Sequence, residues 1–291
     1  MKKNSIYLAA AALLALVACN KDMDKTSRSI TIQAGIGPMS KVTTTGVTAA
    51  FDEGDIISVY AWTGDKTAVS DTRVVDGVEN TLGTDGKWTP ASQMLWDDVT
   101  TEHYFLGIYP KKAVTDFTAD DFTLNPADYE ASDLLIAVNT TGLKASDNPV
   151  SLSFDHVMAR LDVNLTFRDQ WATAPTVSGV SVTAKKTASV DYLSDKPVTA
   201  TGTAEAVALQ AIDNAAWSGL QVPQSGVNTI TITIEGKDYV FTHTADIPLV
   251  GGQYTTVNLI VGRSVIELGS VSISNWTAGS TIDNGEAQTD D

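Results

Sequence analysis

The sequence has a single cysteine, Cys19, and only three histidines, His103, His156 and His243. With one cysteine, no disulfide and no cysteine-based metal site can form within the chain, so packing and hydrogen bonds must hold the core. The H-E-x-x-H, Walker, G-x-G-x-x-G, G-x-S-x-G and EF-hand motifs are missing as well. The residues therefore provide no catalytic group, no metal site and no cofactor site, and we predict that the protein is not an enzyme.

The adjacent residues Asp155-His156 are a candidate acid–base pair. His156 stands between Phe154 and a strongly alternating segment, which is the context of a packed, hydrogen-bonded structural histidine. His243 lies among threonines and apolar residues, and the same interpretation applies to it.

Basic residues are scarce: 19 Lys and Arg stand against 35 Asp and Glu, and the formal net charge is −16. This balance repels nucleic acid and anionic lipid head groups, so we exclude nucleic acid as a partner. The carboxylates are scattered over predicted turns. The adjacent pairs Asp97-Asp98 and Asp120-Asp121 are therefore interpreted as solvated loop residues rather than calcium ligands.

Long apolar runs are absent beyond the N-terminus, where Ile6–Val17 follows Lys2 and Lys3. This run is too short for a membrane span and predicts a lipoprotein signal peptide over residues 1–18. The next feature, Leu16-Val17-Ala18-Cys19, resembles a bacterial lipobox. It implies that Cys19 is lipidated, with palmitate among its acyl chains, and anchors the chain in the outer membrane. Residues 19–29 are polar and are predicted to form a tether.

Beyond residue 29 the apolar residues recur with a period of two, which is typical of half-buried β-strands. Leu161, Val163, Leu165 and Phe167 share one face of the clearest example. Short helical turns are predicted only near 118–121 and 204–213, and Gly236-Lys237-Asp238 indicates a hairpin. The other predicted strands are Ile30–Ile36, Asp55–Trp62, His103–Tyr109, Leu134–Asn139, Val177–Ala184, Thr229–Glu235, Tyr239–Thr244, Thr255–Val261 and Ser270–Ile273.

Frequent turn signals between short strands favour an all-β fold of two stacked β-sandwiches. We expect an N-terminal domain over residues 30–168 and a C-terminal domain over residues 169–291, divided near Asp169–Pro175.

Six tryptophans offer an alternative function, because exposed indole rings stack on sugars. Trp88 follows the turn Asp85-Gly86-Lys87 and is the best candidate for an exposed ring. A carbohydrate-binding surface lipoprotein is therefore one candidate function.

Seven segments occur in a characteristic order: Cys19–Asp22, Ile30–Ile36 followed by Lys41, Phe51–Trp62, Tyr104–Pro110, Asp133–Ala137, Phe154–Leu161 and Ile273–Trp276. Their order over nearly the whole chain resembles the fimbrillin family of Bacteroides-type bacteria, whose members are subunits of surface fimbriae (pili). The resemblance implies two tandem transthyretin-like, Greek-key β-sandwich domains and a place in a fimbrium at the cell surface.

The resemblance also implies a maturation step and a mode of polymerisation. A trypsin-like protease would cut after Lys41, with Arg28 as a rival site that would leave the first strand in place. Donor-strand exchange with other pilin subunits would then fill the vacated groove. The donor would come from the region after Arg263, where Val271 and Ile273 alternate properly. An uncleaved chain would instead be an anchor or a tip adhesin, in contact with a glycan or a host surface.

Overall fold

A computed structural model describes residues 28–37, 41–43, 46–48, 50–69, 73–139, 141–275 and 280–288. The described chain consists of twenty-two β-strands, one short α-helix, α1 (Tyr129–Ser132), and one 3₁₀ turn at Ala145–Asp147. The predicted all-β sandwich fold is confirmed. No helix among the described residues is long and apolar enough to cross a membrane.

The N-terminal part of the chain forms a seven-stranded sheet. In spatial order its strands are β1 (Ile32–Ile36), β10 (Val150–His156), β9 (Leu135–Val138), β7 (His103–Tyr109), β4 (Ile56–Thr63), β5 (Val75–Leu82) and β6 (Trp88–Pro90). Strand β4 lies inside the sheet, between β7 and β5, and its six successive residues from Ile57 to Trp62 are buried. Apart from Ser58 these buried residues are apolar, because both faces of the strand are covered.

A six-stranded sheet contains β16 (Gln210–Ala211), β17 (Ala216–Gln221), β11 (Ala159–Phe167), β20 (Gln253–Val261), β21 (Val265–Asn275) and β22 (Ser280–Gln288). A four-stranded sheet contains β15 (Glu205–Ala208), β12 (Val177–Ala184), β18 (Thr229–Ile234) and β19 (Lys237–Thr242). Two smaller sheets contain β14 (Val198–Thr201), β13 (Thr187–Val190) and β8 (Asp120–Thr123), and β2 (Lys41–Thr43) with β3 (Gly46–Thr48).

The alternating patterns located the strands well, and the hairpin between β18 and β19 is present. Its turn is Glu235-Gly236, and both residues have positive φ, 50° and 77°. The two predicted helical turns are wrong. Residues 120–123 and 205–208 are strands, because each pairs with a neighbour, β13 and β12 respectively. The observed helix, α1, lies elsewhere and is capped by the Asp128 side chain.

The predicted N-terminal domain, residues 30–168, includes β11, which pairs antiparallel with β17 and parallel with β20. The chain therefore passes from the seven-stranded sheet to the six-stranded sheet between His156 and Ala159. The alternation of β11 revealed a strand but carried no information about its partners. The division into two folding domains stays a prediction.

Two apolar cores organise these sheets. We call the smaller one the N-terminal core; it lies on one face of the seven-stranded sheet and includes Ile57, Val59, Phe105, Leu152 and Phe154. The opposite face contributes residues such as Tyr60 and Trp62 to a larger core, which continues through the C-terminal sheets. Strand β8 joins the two parts further, since it completes a sheet with β13 and β14.

Gly107 on β7 allows Phe154 to pack over the seven-stranded sheet. A Cβ at this position would lie 2.5 Å from Phe154 Cζ, and Phe154 is fully buried. We therefore expect Gly107→Ala to lower the free energy of unfolding by about 1–3 kcal/mol through overpacking, as measured by urea denaturation. The control is Gly179→Ala on β12, where the atom nearest to an added Cβ, Thr233 Oγ1, is 3.9 Å away. Equal decreases in the free energy of unfolding of the two variants would contradict the close packing of Phe154 over Gly107.

Candidate assembly site around the first strand

Strand β1 is an edge strand that pairs in parallel with β10, in the register Ile32 to Val150 and Ile36 to Phe154. The amide of Val150 donates to Thr31 O at 2.8 Å, and the amide of Gly37 donates to Phe154 O at 2.9 Å. One edge of the first strand is therefore satisfied along its whole length by β10.

The other edge of the first strand contacts β6 and the segment that follows it. The Ile30 amide donates to Met94 O at 2.9 Å, and the Trp96 amide donates to Arg28 O at 2.8 Å. Further along, the Trp88 indole Nε1 donates to Ala34 O at 3.3 Å. Since Trp88 begins β6, the last strand at the far end of the sheet, the first strand lies between β10 and the end of the sheet that β6 forms. We call its seat, bounded by β10 on one side and by Trp88 and Met94–Trp96 on the other, the first-strand groove.

Alternate side chains of the first strand enter the N-terminal core. Ile30 and Ile32 are 2% and 6% exposed, whereas Thr31 and Gln33 point to solvent. Ala34 and Ile36 are half-buried against the same core. The groove thus has two deep apolar positions, followed by two shallower ones.

Aromatic rings close the core below the groove. The Phe51 ring meets the rings of Trp88, Tyr109 and Phe154 edge-on, with centroids 5.2, 5.3 and 5.3 Å away. The Tyr109 hydroxyl donates toward Asp55 Oδ1 at 3.1 Å and Glu130 Oε1 at 3.2 Å. Burial raises the pKa of Tyr109, and the two carboxylates raise it further.

The two candidate cleavage residues differ in their surroundings. The Arg28 side chain donates from Nε and Nη2 to Trp96 O, at 3.2 and 2.8 Å, and also to Asp97 O. Lys41 is the first residue of β2 and pairs with Thr48 of β3. Strand β2 lies beside α1. The candidate lipidation residue, Cys19, lies outside the described residues.

The donor candidates Val271 and Ile273 lie on β21, which pairs with both β20 and β22. Val271 is 3% exposed and Ile273 is half-buried. The ladder between β20 and β21 is interrupted by a bulge, because Leu259 pairs with Leu268 and Asn258 pairs with Ser270. In this state the candidate donor is therefore folded into its own sheet, away from the first-strand groove.

The described tryptophans, Trp62, Trp88, Trp96, Trp171 and Trp217, are all buried. The expectation of an exposed Trp88 is wrong, because its ring covers the N-terminal core and its nitrogen binds the first strand. The sugar-stacking alternative loses its support in this part of the chain. No cluster of three or more metal-ligating side chains occurs among the described residues.

His156 is a buried structural histidine, as predicted. Its Nδ1 lies 2.7 Å from Asp133 Oδ1, and both side chains are almost inaccessible to solvent. This pair joins the end of β10 to the segment after α1. It thereby helps to fix the strand that forms one wall of the first-strand groove.

Sequence reasoning found the first strand but missed the residues that hold its outer edge. Met94 and Trp96 belong to a connecting segment without an alternating pattern, and their backbone groups form the contacts. Backbone hydrogen bonds of this kind have no side-chain signature in a sequence.

Shortening one buried side chain of the first strand tests how much that side chain stabilises the fold. We expect Ile32→Ala to lower the free energy of unfolding of the uncleaved chain by about 2–5 kcal/mol, since it opens a cavity in the N-terminal core. The matched control is Gln33→Ala, at an exposed neighbouring position, with an expected change within about 0.5 kcal/mol. Thermal and urea unfolding provide the measurement. Similar free energies of unfolding for the two variants would contradict a stabilising contribution from the buried Ile32 side chain.

Comparison with known proteins gives a consistent result. A family model described as fimbrillin-like matches residues 41–276. A candidate cell adhesion protein of Bacteroides uniformis is similar in structure, with a TM-score of 0.66, 18% identity, and coverage of 86% of this chain and 98% of its own. A fimbrial assembly protein of Parabacteroides distasonis has a TM-score of 0.55, 10% identity, and coverage of 88% and 98%. A search of curated proteins finds no match.

Proposed function

Because the chain belongs to the fimbrillin-like family and is a fimbrial or adhesion subunit rather than an enzyme, we propose that it is a cleaved, polymerising subunit of a surface fimbria. It reaches the outer membrane as a lipoprotein anchored through Cys19. A trypsin-like protease then removes the segment that ends at Lys41. Subunits join when a strand from one copy enters the first-strand groove of the next.

The observation that carries this proposal is the position of the first strand between β10 and the end of the sheet that β6 forms. Its removal exposes the backbone groups of β10 on one side and those of Met94 and Trp96 on the other. It also uncovers the apolar positions of Ile30 and Ile32. An incoming strand would satisfy both backbone edges and the apolar positions together, which is the basis of β-strand addition.

The surroundings of the two basic residues favour Lys41 as the cleavage site. The Arg28 guanidinium is bound to carbonyls of Trp96 and Asp97, so a protease would have to displace it from the fold. A cut after Lys41 also lies beyond the first strand and releases it, whereas a cut after Arg28 leaves Ile32–Ile36 attached to the chain.

Intact mass spectrometry of the protein taken from its own cell surface tests maturation. We expect a chain that begins at Val42 and carries no lipid. Lys41→Gln should instead yield a chain that keeps acylated Cys19, because a trypsin-like protease requires a basic residue at the cut. The matched variant Arg28→Gln should still be cut after residue 41.

A wild-type chain that remains acylated at Cys19 on the surface would contradict the polymerising subunit. The protein would then be an uncleaved anchor or tip subunit. A mature chain that begins at Ser29 would contradict release of the first strand while leaving export as a lipoprotein intact.

A further inference from the structure

We infer that His103 is an acid-sensitive latch on the outer edge of the first strand, the edge that faces Met94–Trp96. The neutral imidazole holds the peptide group that Arg28 binds, and the protonated imidazole releases it. Mild acid therefore loosens this edge while β10 keeps the inner one. Because the latch acts on the seated strand of the uncleaved chain, it is independent of the proposed function, and either can fail without the other.

The hydrogen bonds of His103 fix the protonation state of its ring. The side chain lies at the start of β7 and is fully buried. Its Nδ1 lies 2.9 Å from Thr101 O, and its Nε2 accepts a hydrogen bond from the Asp97 amide at 3.1 Å. A carbonyl oxygen can only accept and an amide N–H can only donate. The ring is therefore neutral, with its single proton on Nδ1 and a lone pair on Nε2.

The peptide group between Trp96 and Asp97 connects this ring to the first strand. Its N–H donates to His103 Nε2, and its C=O accepts from Arg28 Nη2 at 2.8 Å. In a trans peptide these two groups point in opposite directions, so Arg28 and His103 bind opposite sides of one peptide plane. Successive hydrogen bonds of this kind polarise and strengthen each other. The seat of Arg28, at the start of the first strand, thus depends on the acceptor at Nε2.

The imidazole is held in place on several sides. The His103 backbone pairs with Thr63 of β4 and exchanges two hydrogen bonds of 2.8 Å with Leu143. The Trp96 ring packs edge-on against the imidazole, with the centroids 5.0 Å apart. A second proton, on Nε2, would point at the Asp97 N–H, and two donors that face each other lose the hydrogen bond. Since the ring is confined, the Trp96–Asp97 segment has to move.

The charged side chains near the imidazole are bound elsewhere or exposed. They lie on the first strand, on the turn before β7 and after Leu143, whereas β4 has none: Arg28, Asp97, Asp98, Glu102 and Lys144. Asp98 accepts from the amides and hydroxyls of Thr100 and Thr101, and Glu102 pairs with Lys144 at 3.7 Å. The hydrogen bonds from Thr101 and Thr100 hold the pKa of Asp98 well below its usual range. Asp98 therefore stays ionised in mild acid, and His103 is the group in this turn that responds.

The other two histidines differ from His103 in their partners. His156 Nδ1 faces the Asp133 carboxylate at 2.7 Å, a partner that a protonated ring keeps. His243 is half-buried, beyond β19, and its Nδ1 lies 2.8 Å from Ala245 O. Among the described residues, His103 is thus the histidine whose ring accepts a backbone amide at the first-strand groove.

The direction of the pH effect follows from proton uptake. The protonated ring fits only the opened edge, so each opening event takes up one proton. The latch is therefore complete at neutral pH and is lost as the pH falls through the ordinary titration range of histidine. One proton taken up makes the opening equilibrium rise by at most about tenfold per pH unit.

Residue-resolved amide hydrogen exchange of the uncleaved chain tests the latch, at about pH 7 and about pH 5 and corrected for intrinsic exchange rates. We expect opening at the Ile30 and Trp96 amides, on the outer edge, to increase at least about tenfold in acid. The control amides are Val150 and Gly37, which join the first strand to β10 on the inner edge and should change less than about threefold. Equal increases at both edges would overturn the latch, because acid would then destabilise the whole sheet.

Two substitutions at His103 separate protonation from packing. His103→Gln places an acceptor that does not titrate near the position of Nε2, so the increase at Ile30 and Trp96 should fall below about twofold. His103→Asn is too short to reach the Asp97 amide, so its outer edge should already open faster at pH 7, with little further change in acid. The matched control His243→Gln should keep the full wild-type increase. A full increase in His103→Gln would overturn the latch.

The wild-type chain provides a second test that does not depend on how the variants fold. Nitrogen-15 NMR of the histidine rings should show His103 protonated on Nδ1 alone at neutral pH. In acid, the appearance of the doubly protonated ring should coincide with the loss of protection at the Ile30 and Trp96 amides. A doubly protonated His103 beside fully protected Ile30 and Trp96 amides would overturn the inference.

Discussion

The double pairing of the first strand is the constraint on which the rest of the N-terminal sheet depends. A sheet edge leaves backbone donors and acceptors unpaired, and two edges facing each other across an apolar core expose that core as well. Residues 28–37 satisfy both edges: β10 binds one side, and Met94, Trp96 and the Trp88 indole bind the other. A single short segment therefore completes the hydrogen bonding and closes the core.

The walls of the first-strand groove are also held by contacts that do not involve the first strand. Strand β10 is joined to β9, and the His156–Asp133 pair fixes its far end. The opposite face of the sheet packs into the larger core, where the Arg73 guanidinium lies 4.0 Å above the Phe117 ring and the Tyr192 hydroxyl donates to Asp120. Strand β8 shares a sheet with β13 and β14, so the N-terminal and C-terminal parts support each other. Release of the first strand would expose the first-strand groove, while the contacts described here would remain.

Local patterns in the sequence were sufficient to locate most strands, and they failed where pairing decides the structure. The alternation of Leu161, Val163 and Leu165 identified β11, yet its partners, β17 and β20, lie far along the chain. The segments 118–121 and 204–213 lack a clear period, and contacts with β13 and β12 make parts of them strands rather than helices. Trp88 follows a turn, which suggested exposure, but its ring is buried beside Phe51.

By itself the sequence determined the all-β class, the positions of the alternating strands, the absence of catalytic motifs and the family resemblance. These properties reside in residue type and spacing, which need no partner. The tertiary structure alone decided that the first strand lies between β10 and the end of the sheet that β6 forms, that Trp88 binds its backbone, and that Val271 and Ile273 are folded into another sheet beyond a bulge. Those features depend on backbone groups and on contacts between distant segments, because a hydrogen bond from a peptide amide is the same whatever side chain the residue carries.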